Sequence, residues 1–315
     1  MKLTAPVNNI ESCIAQIDSG ADEIYLGYRV DFFKRISFSA RPQIKKGEYL
    51  LVDKAQFSEI VNYASQRGRR VFLTANTQFF SDYPVEGISI EDEFLQYVNY
   101  GMECGVDAVI VSDIGLMSAI NTKIRGVPII SSTLVDVDNL YQIKFLKSLG
   151  VKRVVLSYQI TMPEIRRLCH QEDIELEVFA YGGCSFATNC MLGHGERFRI
   201  PCENTYTSKK NPNMASQSIC SAYNCSLCSV WDLLQNNITA IKVQGRERDY
   251  RKVIPLTKMF RSAIDLASQS TSKIEYMDGI KDLIPIWWKK IFCERRQCKF
   301  ENHFCDISIS NINMM

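Results

Sequence analysis

Six of the twelve cysteines lie close together in the chain, and thiols are the side chains here with the most distinctive chemistry. They are Cys184, Cys190, Cys202, Cys220, Cys225 and Cys228. The sequence between them is polar, so this stretch cannot bury an apolar core of its own, whereas metal–thiolate bonds order such segments. The N-terminus lacks the apolar core and cleavage site of an export signal, which argues against a disulfide framework. The stretch therefore predicts a metal centre.

The spacing of these cysteines favours an iron–sulfur cluster over a zinc ion. Structural zinc sites combine two close cysteine pairs, and within this stretch only Cys225 and Cys228 form a C-x2-C pair. Dispersed thiolates that end in a pair suit an iron–sulfur cluster. The alternatives are a zinc site and free cysteines that pack as small apolar side chains.

Strand-like and helix-like segments alternate along most of the chain. The predicted strands are 3–7, 23–27, 70–76, 108–113, 127–133, 152–158, 175–181 and 240–245. Helical spacing of apolar residues falls at 9–21, 54–68, 91–105, 116–126, 139–150, 162–173 and about 250–268. Eight such units predict an α/β fold, a (β/α)8 TIM-barrel-like domain over residues 1–268. The cysteine-rich stretch 182–230 is then an insertion after the seventh strand, and 269–315 is a short C-terminal extension.

Polar side chains stand where the predicted strands end, and catalytic chemistry in such barrels is found at the carboxyl ends of the strands. Asn76, Asp113 and Gln244 occupy strand ends, while Arg41 and Arg246 follow strand-like segments. An arginine there would clamp a carboxylate or phosphate group. We therefore predict substrate binding by all five residues. Surface ion pairs for the arginines, and helix capping for Asn76 and Asp113, are the alternative interpretations.

The overall composition excludes some classes of protein. The formal net charge is +2, so no global field recruits nucleic acid, and RNA binding would depend on a local patch. No run of about eighteen apolar residues occurs, so no membrane span is predicted, and we expect a cytoplasmic location. Neither a Ser-His-Asp order nor an H-E-x-x-H motif is present, so protease chemistry has no support at the level of residues.

Several motifs in the same order resemble one known family. They are YLG (25–27), SFSAR (37–41), SDIGL (112–116), SSTLVDVDN (131–139), ELEVFAYGGCSFATNC (175–190) and IKVQGR (241–246). Together they resemble the collagenase-like peptidase U32 family over roughly residues 1–265. Despite the family name, its better understood members are oxygen-independent hydroxylases that carry a 4Fe-4S cluster and act in ubiquinone, ribosomal RNA and tRNA pathways.

The resemblance implies a cofactor, a ligand set and partners. The cofactor would be a 4Fe-4S cluster bound by Cys184, Cys190, Cys202 and Cys228, with Cys225 as the first rival for the fourth position and Cys220 as the second. The activity would be oxygen-independent hydroxylation of a small molecule, a peptide or RNA. A heterodimer with a homologous U32-type chain is also implied. The alternatives are a non-catalytic iron–sulfur partner subunit of such a hydroxylase, and a peptidase.

Three departures from the family pattern affect the predicted pocket. Ser157, Tyr158 and Gln159 stand where relatives often have Ser-Arg-Glu, and Gln244 stands where Glu is usual. The gap between Cys184 and Cys190 is one residue shorter than in the ubiquinone-pathway members. Loss of an arginine and two carboxylates removes groups that would pair with a charged co-substrate. We therefore expect either that the substrate differs or that the chain is a non-catalytic partner.

Overall fold

Short parallel strands alternate with amphipathic helices through the chain and close into a barrel. The structure is a computed structural model. It describes residues 1–30, 37–39, 44–45, 48–49, 51–77, 87–124, 126–169, 173–181, 206–207, 215–216, 225–246, 248–294 and 298–301. Cys184, Cys190, Cys202, Cys220 and Arg41 lie outside the described residues.

The barrel contains eight parallel strands, and the last strand pairs with the first. These strands are β1 (Lys2–Pro6), β2 (Glu23–Leu26), β5 (Arg70–Ala75), β6 (Ala108–Val111), β7 (Ile129–Ser131), β8 (Val151–Val155), β9 (Glu175–Phe179) and β12 (Ala240–Lys242). Two small antiparallel pairs lie in loops: β3 (Ile44–Lys45) with β4 (Glu48–Tyr49), and β10 (Tyr206–Thr207) with β11 (Ala215–Ser216). The closed parallel order confirms the predicted (β/α)8 architecture.

Helices follow the strands and cover the outside of the barrel. They are α1 (Ile10–Asp18), α2 (Lys54–Ser65), α3 (Ile90–Glu103), α4 (Ile114–Lys123), α5 (Leu140–Ser148), α6 (Met162–Leu168), α7 (Val230–Gln235) and α8 (Tyr250–Gln269). Asn9 and Asp53 cap α1 and α2 by accepting a hydrogen bond from a backbone N–H of the first turn. Several strands end earlier than predicted: β9, for example, ends at Phe179, although Ala180 is still buried and its N–H still donates to the Lys242 carbonyl at 2.9 Å.

An apolar layer fills the middle of the barrel. Its members point inward from alternate strand positions and are Tyr25, Phe72, Ala108, Ile110, Ile130, Val155 and Phe179. Alternate positions of a strand face opposite sides, so the intervening residues pack outward against the helices. The barrel interior is therefore a packed core rather than a channel.

A network of buried charged side chains lies inside the barrel. Arg153 on β8 is 1% exposed and binds Glu23 on β2 with two hydrogen bonds, Nη1 to Oε2 at 2.6 Å and Nη2 to Oε1 at 2.9 Å. The same guanidinium lies 3.1 Å from Oε2 of Glu177 on β9, whose Oε1 lies 3.3 Å from the Lys242 ammonium on β12. Burial would raise the pKa of Glu23, but the hydrogen bonds and charge of Arg153 outweigh it and lower that pKa. The network thus joins four strands of the barrel.

The ends of the cysteine-rich insertion meet at the carboxyl end of β9. Tyr181 forms an isolated antiparallel bridge with Cys225, and we call this residue pair the neck of the insertion. A 3-10 turn, Leu227–Ser229, leads from the neck into α7. Most of the predicted insertion, 182–224, falls outside the described residues apart from β10 and β11.

The C-terminal extension packs on the neck. It contains α9 (Lys273–Leu283), α10 (Ile286–Trp288) and a π-helical turn, Lys289–Cys293. Trp288 is buried, with its ring centroid 5.3 Å from that of Tyr181 and 4.3 Å from that of Phe292. In the described part of the chain, no helix is long and apolar enough to cross a membrane. The predicted division at residue 268 stays a prediction.

We predict that Arg153→Met lowers the free energy of unfolding by about 3–5 kcal/mol, because Glu23 and Glu177 would then be buried without their shared cation. Denaturant unfolding would measure the change. Lys152→Met is the matched control, because Lys152 precedes Arg153 in the same strand and its side chain is exposed. The free energy of unfolding of this variant should stay within about 0.5 kcal/mol of that of the parent. Equal effects of the two variants would contradict a stabilising role for the network.

Candidate functional site

Arg246 reaches across the carboxyl end of the barrel. It follows β12, yet its Nη1 donates to Thr74 Oγ1 on β5 at 2.6 Å and its Nη2 donates to the Ser39 carbonyl at 3.2 Å. The guanidinium carbon lies 5.5 Å from the centre of the Tyr25 ring. Strands β12, β1, β2 and β5 are consecutive around the barrel, so Arg246 places a cation over the mouth between them.

Three amide oxygens at this mouth are buried and have no hydrogen-bond partner among the described residues. They are Asn8 Oδ1 after β1, Asn76 Oδ1 after β5 and Gln244 Oε1 after β12. A buried acceptor without a donor is costly, because it has lost its water without replacement. Such oxygens are suited to receive N–H groups of a ligand. Sequence reasoning found Asn76 and Gln244 but missed Asn8, which sits one residue before a helix cap and resembles capping sequence.

The turn that carries Arg246 is held by Asn8. The side-chain amide of Asn8 donates to the Arg246 carbonyl at 3.2 Å and to the Arg248 carbonyl at 3.3 Å. The Tyr25 hydroxyl donates to the Val243 carbonyl at 2.9 Å on the other side of the same segment. The segment that carries Gln244 and Arg246 is therefore fixed by Asn8, which follows β1, and by Tyr25 of β2.

Asp113 is engaged in a structural contact. It is the N-cap of α4, and its Oδ1 accepts a hydrogen bond from the Leu116 N–H at 2.9 Å. This is the capping interpretation left open by the sequence. Its neighbour Ser112 donates to the carbonyls of Asn76 and Thr77 and so joins the ends of β5 and β6. Substrate binding by Asp113 stays a prediction, with one carboxylate oxygen already in use.

Lys242, the last residue of β12, is the member of the charged network that lies on the same strand segment as Gln244 and Arg246. The Tyr25 ring contacts both cations: its centre lies 4.2 Å from the Lys242 ammonium nitrogen and 5.5 Å from the Arg246 guanidinium carbon. Burial lowers the pKa of Lys242, while Glu177 opposes that shift. The sequence carried a signal for this residue, since a lysine between Ile241 and Val243 is unusual in a buried strand.

Tyr158 occupies the position where the resemblance expects an arginine. Its ring stacks on Phe179 with the centroids 4.4 Å apart, at the top of the apolar layer. Ser157 donates to Asp136 Oδ1, and the Tyr158 carbonyl accepts from the Lys299 ammonium at 2.6 Å. The Tyr158 ring therefore contacts both Phe179 and Lys299, whose ammonium nitrogen lies 5.5 Å from the ring centre.

Of the two described cysteines of the insertion, Cys225 belongs to the neck and Cys228 lies in the 3-10 turn that follows it. Cys225 is buried, and its sulfur accepts hydrogen bonds from Trp288 Nε1 at 3.1 Å and from the Leu227 N–H at 3.4 Å. Burial raises the pKa of Cys225 to about 12. Cys228 is half-buried, and burial followed by the charge of Cys293 raises its pKa. Among the described side chains, no three His, Cys, Asp or Glu residues already stand as a metal-binding group.

The closed barrel with polar residues at its mouth is typical of (β/α)8 proteins. Comparison with known protein families shows to which family the chain belongs. The family model "Peptidase family U32" matches residues 8–299. The chain belongs to the peptidase U32 family, which confirms the resemblance seen in the motifs.

Relatives of known name cover most of this chain. An uncharacterized protease of Methanocaldococcus jannaschii is 26% identical over 88% of the chain and 68% of its own length. The 23S rRNA 5-hydroxycytidine C2501 synthase of Escherichia coli is 24% identical over 84% of the chain and 39% of its own length. A tRNA hydroxylation protein P of Helicobacter pylori is 25% identical over 87% of the chain and 66% of its own length. The chain thus spans less than two thirds of the length of the last two.

Among solved structures, the U32 peptidase Mk0906 resembles the chain in fold. Its TM-score is 0.51 at 14% identity, over 79% of this chain and 95% of that one. At this identity the likeness supports the architecture alone.

We predict that Gln244→Met leaves the free energy of unfolding unchanged or raises it by up to about 1 kcal/mol, because it removes a buried oxygen that has no described partner. Gln142→Met is the matched control. Gln142 is also half-buried, but its Oε1 accepts from the Asp138 N–H at 3.0 Å and the Asn139 amide at 2.9 Å. That variant should lose about 1 kcal/mol. Urea unfolding would measure both, and an equal loss in Gln244→Met would show that Gln244 serves the fold rather than a ligand.

Proposed function

We propose that this chain carries out oxygen-independent hydroxylation of an RNA base with the help of a 4Fe-4S cluster. The observation that carries the proposal is membership of the U32 family together with two relatives, matched over 84% and 87% of the chain, that are named for rRNA and tRNA hydroxylation. The peptidase alternative has no comparable support, because no motif of a protease is present in the sequence.

The mouth of the barrel is suited to a nucleobase and its phosphate. The oxygens of Asn8, Asn76 and Gln244 would accept N–H groups of a base edge. Arg246 would neutralise a phosphate oxygen of the nucleotide. A base inside this mouth must be single-stranded or turned out of a helix, since a base within a duplex cannot enter a closed barrel.

The cysteines of the insertion fit an iron–sulfur cluster in the chemistry of their donors. Thiolates are the ligands of such clusters, and Cys225 and Cys228 place the end of the insertion at the mouth of the barrel. The ligands would be Cys184, Cys190, Cys202 and a fourth cysteine, predicted as Cys228 with Cys225 and Cys220 as rivals. A bound cluster would supply one-electron chemistry beside the substrate. The residues of the mouth would bind and orient the base and exclude water.

The replacement of an arginine by Tyr158 bears on the alternative of a non-catalytic partner subunit. Tyr158 packs against the apolar layer, so its ring fills the position at which relatives often have an arginine. A homologous partner chain stays a prediction. Activity of the chain purified alone would exclude the need for one.

We predict that the chain purified without oxygen is brown, with about four iron and four sulfide per chain. Single Ala variants at Cys184, Cys190 and Cys202 should each lose most of the iron, since a cluster with three ligands is labile. Cys104→Ala is the matched control, because this half-buried thiol on the outside of the barrel should not affect iron. Visible absorption and iron and sulfide analysis are the measurements. A colourless chain under these conditions would refute the cluster.

We predict that Arg246→Ala lowers hydroxylation of RNA at least about tenfold, the effect of losing one charge-assisted contact. Mass spectrometry of nucleosides from total RNA, in cells that lack the gene and are complemented with each variant, would measure the product. Arg251→Ala is the control, because Arg251 is exposed and pairs with Asp249 outside the mouth. If the parent chain restores no hydroxylated nucleoside, RNA is not its substrate.

A further inference from the structure

Lys299 of the C-terminal extension is a buried cation whose charge no described side chain balances. The charged side chains that are buried in the described part of the chain are Glu23, Arg153, Glu177, Lys242 and Lys299. The first four belong to the network inside the barrel, in which each cation lies within 3.3 Å of a carboxylate oxygen. Lys299 is 4% exposed, and burial is the only cause that acts on its pKa, so no described carboxylate balances its charge. Buried charges are normally paired, and Lys299 departs from that rule.

The ammonium of Lys299 uses one of its three N–H donors on the described residues. Its Nζ donates to the Tyr158 carbonyl at 2.6 Å. Its other neighbours are the rings of Tyr158 and Phe300, whose centres lie 5.5 Å and 5.0 Å from Nζ. The rings attract a cation and offset part of the cost of its burial, but a neutral carbonyl needs only an uncharged donor. Two N–H groups of this ammonium therefore remain for the oxygens of a ligand.

Backbone hydrogen bonds on both sides hold Lys299 at the carboxyl end of the barrel. Its own N–H donates to the Cys225 carbonyl at 2.8 Å, and the next residue, Phe300, accepts from the Met162 N–H at 2.9 Å. Cys225 also forms a parallel bridge with Cys298, and it belongs to the neck that follows β9. Met162 begins α6, which follows β8. Since β8 and β9 are neighbours in the barrel, the extension places Lys299 between two adjacent strand ends.

The backbone of the extension is strained beside Lys299. Phe300 has a φ of 73°, in the left-handed region, which a bulky side chain seldom adopts. Such strain persists only where the surrounding structure enforces it, and it is concentrated at binding and catalytic sites. Here the Phe300 ring is buried beside the ammonium, so the strained residue also forms part of its surroundings.

We propose that Lys299 is an oxyanion-binding residue at the mouth, whose ammonium receives a carboxylate or phosphate oxygen of a ligand. The ligand would supply the missing counter-charge and accept the remaining N–H groups in charge-assisted hydrogen bonds, which are the strong ones. Burial lowers the pKa of Lys299 to about 7, and a bound anion would raise it again because it favours the charged form. The proposal does not rest on RNA hydroxylation, because anion binding is measured without turnover.

The oxyanion has two possible sources, the phosphate of a nucleotide and a small free anion. Isothermal titration calorimetry of the full chain, purified without oxygen, would compare inorganic phosphate, acetate, uridine 5′-monophosphate and uridine at constant ionic strength in chloride. The chain should bind at least one of the three anions with a Kd below about 10 mM. Tighter binding of the nucleotide than of both phosphate and uridine would assign the site to a nucleotide phosphate. Binding of phosphate or acetate at least as tight as that of the nucleotide would assign it to a small free anion. If none of the three anions binds, the proposal is wrong.

Two variants test whether Lys299 carries this binding. Lys299→Met and Lys299→Gln both remove the charge, and the glutamine keeps a donor for the Tyr158 carbonyl. Each should weaken the affinity for the bound anion at least about tenfold, the effect of losing one charge-assisted contact. Lys290→Met is the matched control, because Lys290 is an exposed lysine of the same extension, and it should keep the affinity of the parent. Equal affinities of the parent and the two Lys299 variants would overturn the proposal.

Thermal unfolding without ligand separates binding from a structural role of Lys299. A buried charge without a partner is costly, so Lys299→Met should unfold at the temperature of the parent or above it. A melting temperature lower by more than about 5 °C, or a variant that does not fold, would show that the ammonium serves the fold, and the proposal would fall. Hydroxylation of RNA is assayed separately, so failure of either proposal leaves the other testable.

Discussion

The contact between Arg153 and Glu23 is the constraint on which the rest of the barrel depends. The two residues are far apart in the chain and lie on β8 and β2, which are separated by other strands on either side of the barrel. Their hydrogen bonds cross the interior. A buried guanidinium with two donors engaged has a single acceptable position, because displacement would leave charges without partners. This contact therefore fixes how opposite walls of the barrel face one another.

The same network determines where the mouth places its side chains. Glu177 joins Arg153 to Lys242, and Lys242 lies in the same strand segment as Gln244. Successive inward positions of a strand are two residues apart. When Lys242 is held, Gln244 is directed toward the mouth, and Arg246 follows in the turn fixed by Asn8 and Tyr25. The charged network inside the barrel thus helps to position the polar side chains that follow β12 at the mouth.

The sequence predicted the barrel because its evidence is local. Alternating apolar segments mark each strand and helix, and parallel strands bring their carboxyl ends to one side, which placed Asn76, Gln244 and Arg246 at the mouth. The Arg153 network could not be predicted in the same way, since its partners share no local pattern. Asp113 shows a different limit: the same residue type at the same position serves as a helix cap or as a ligand. Cys298 looked unrelated to the insertion because only the fold brings the extension to the neck.

The bridge between Tyr181 and Cys225 gives the insertion the character of a closed loop whose ends are held by the barrel. For such a loop the entropy of closure rises only with the logarithm of its length, by about 0.6 kcal/mol for each doubling. The chain between the two ends can therefore lengthen, shorten or change composition over evolutionary time with little effect on the stability of the barrel. In this protein the insertion and the barrel can thus vary independently, as long as those two residues continue to meet.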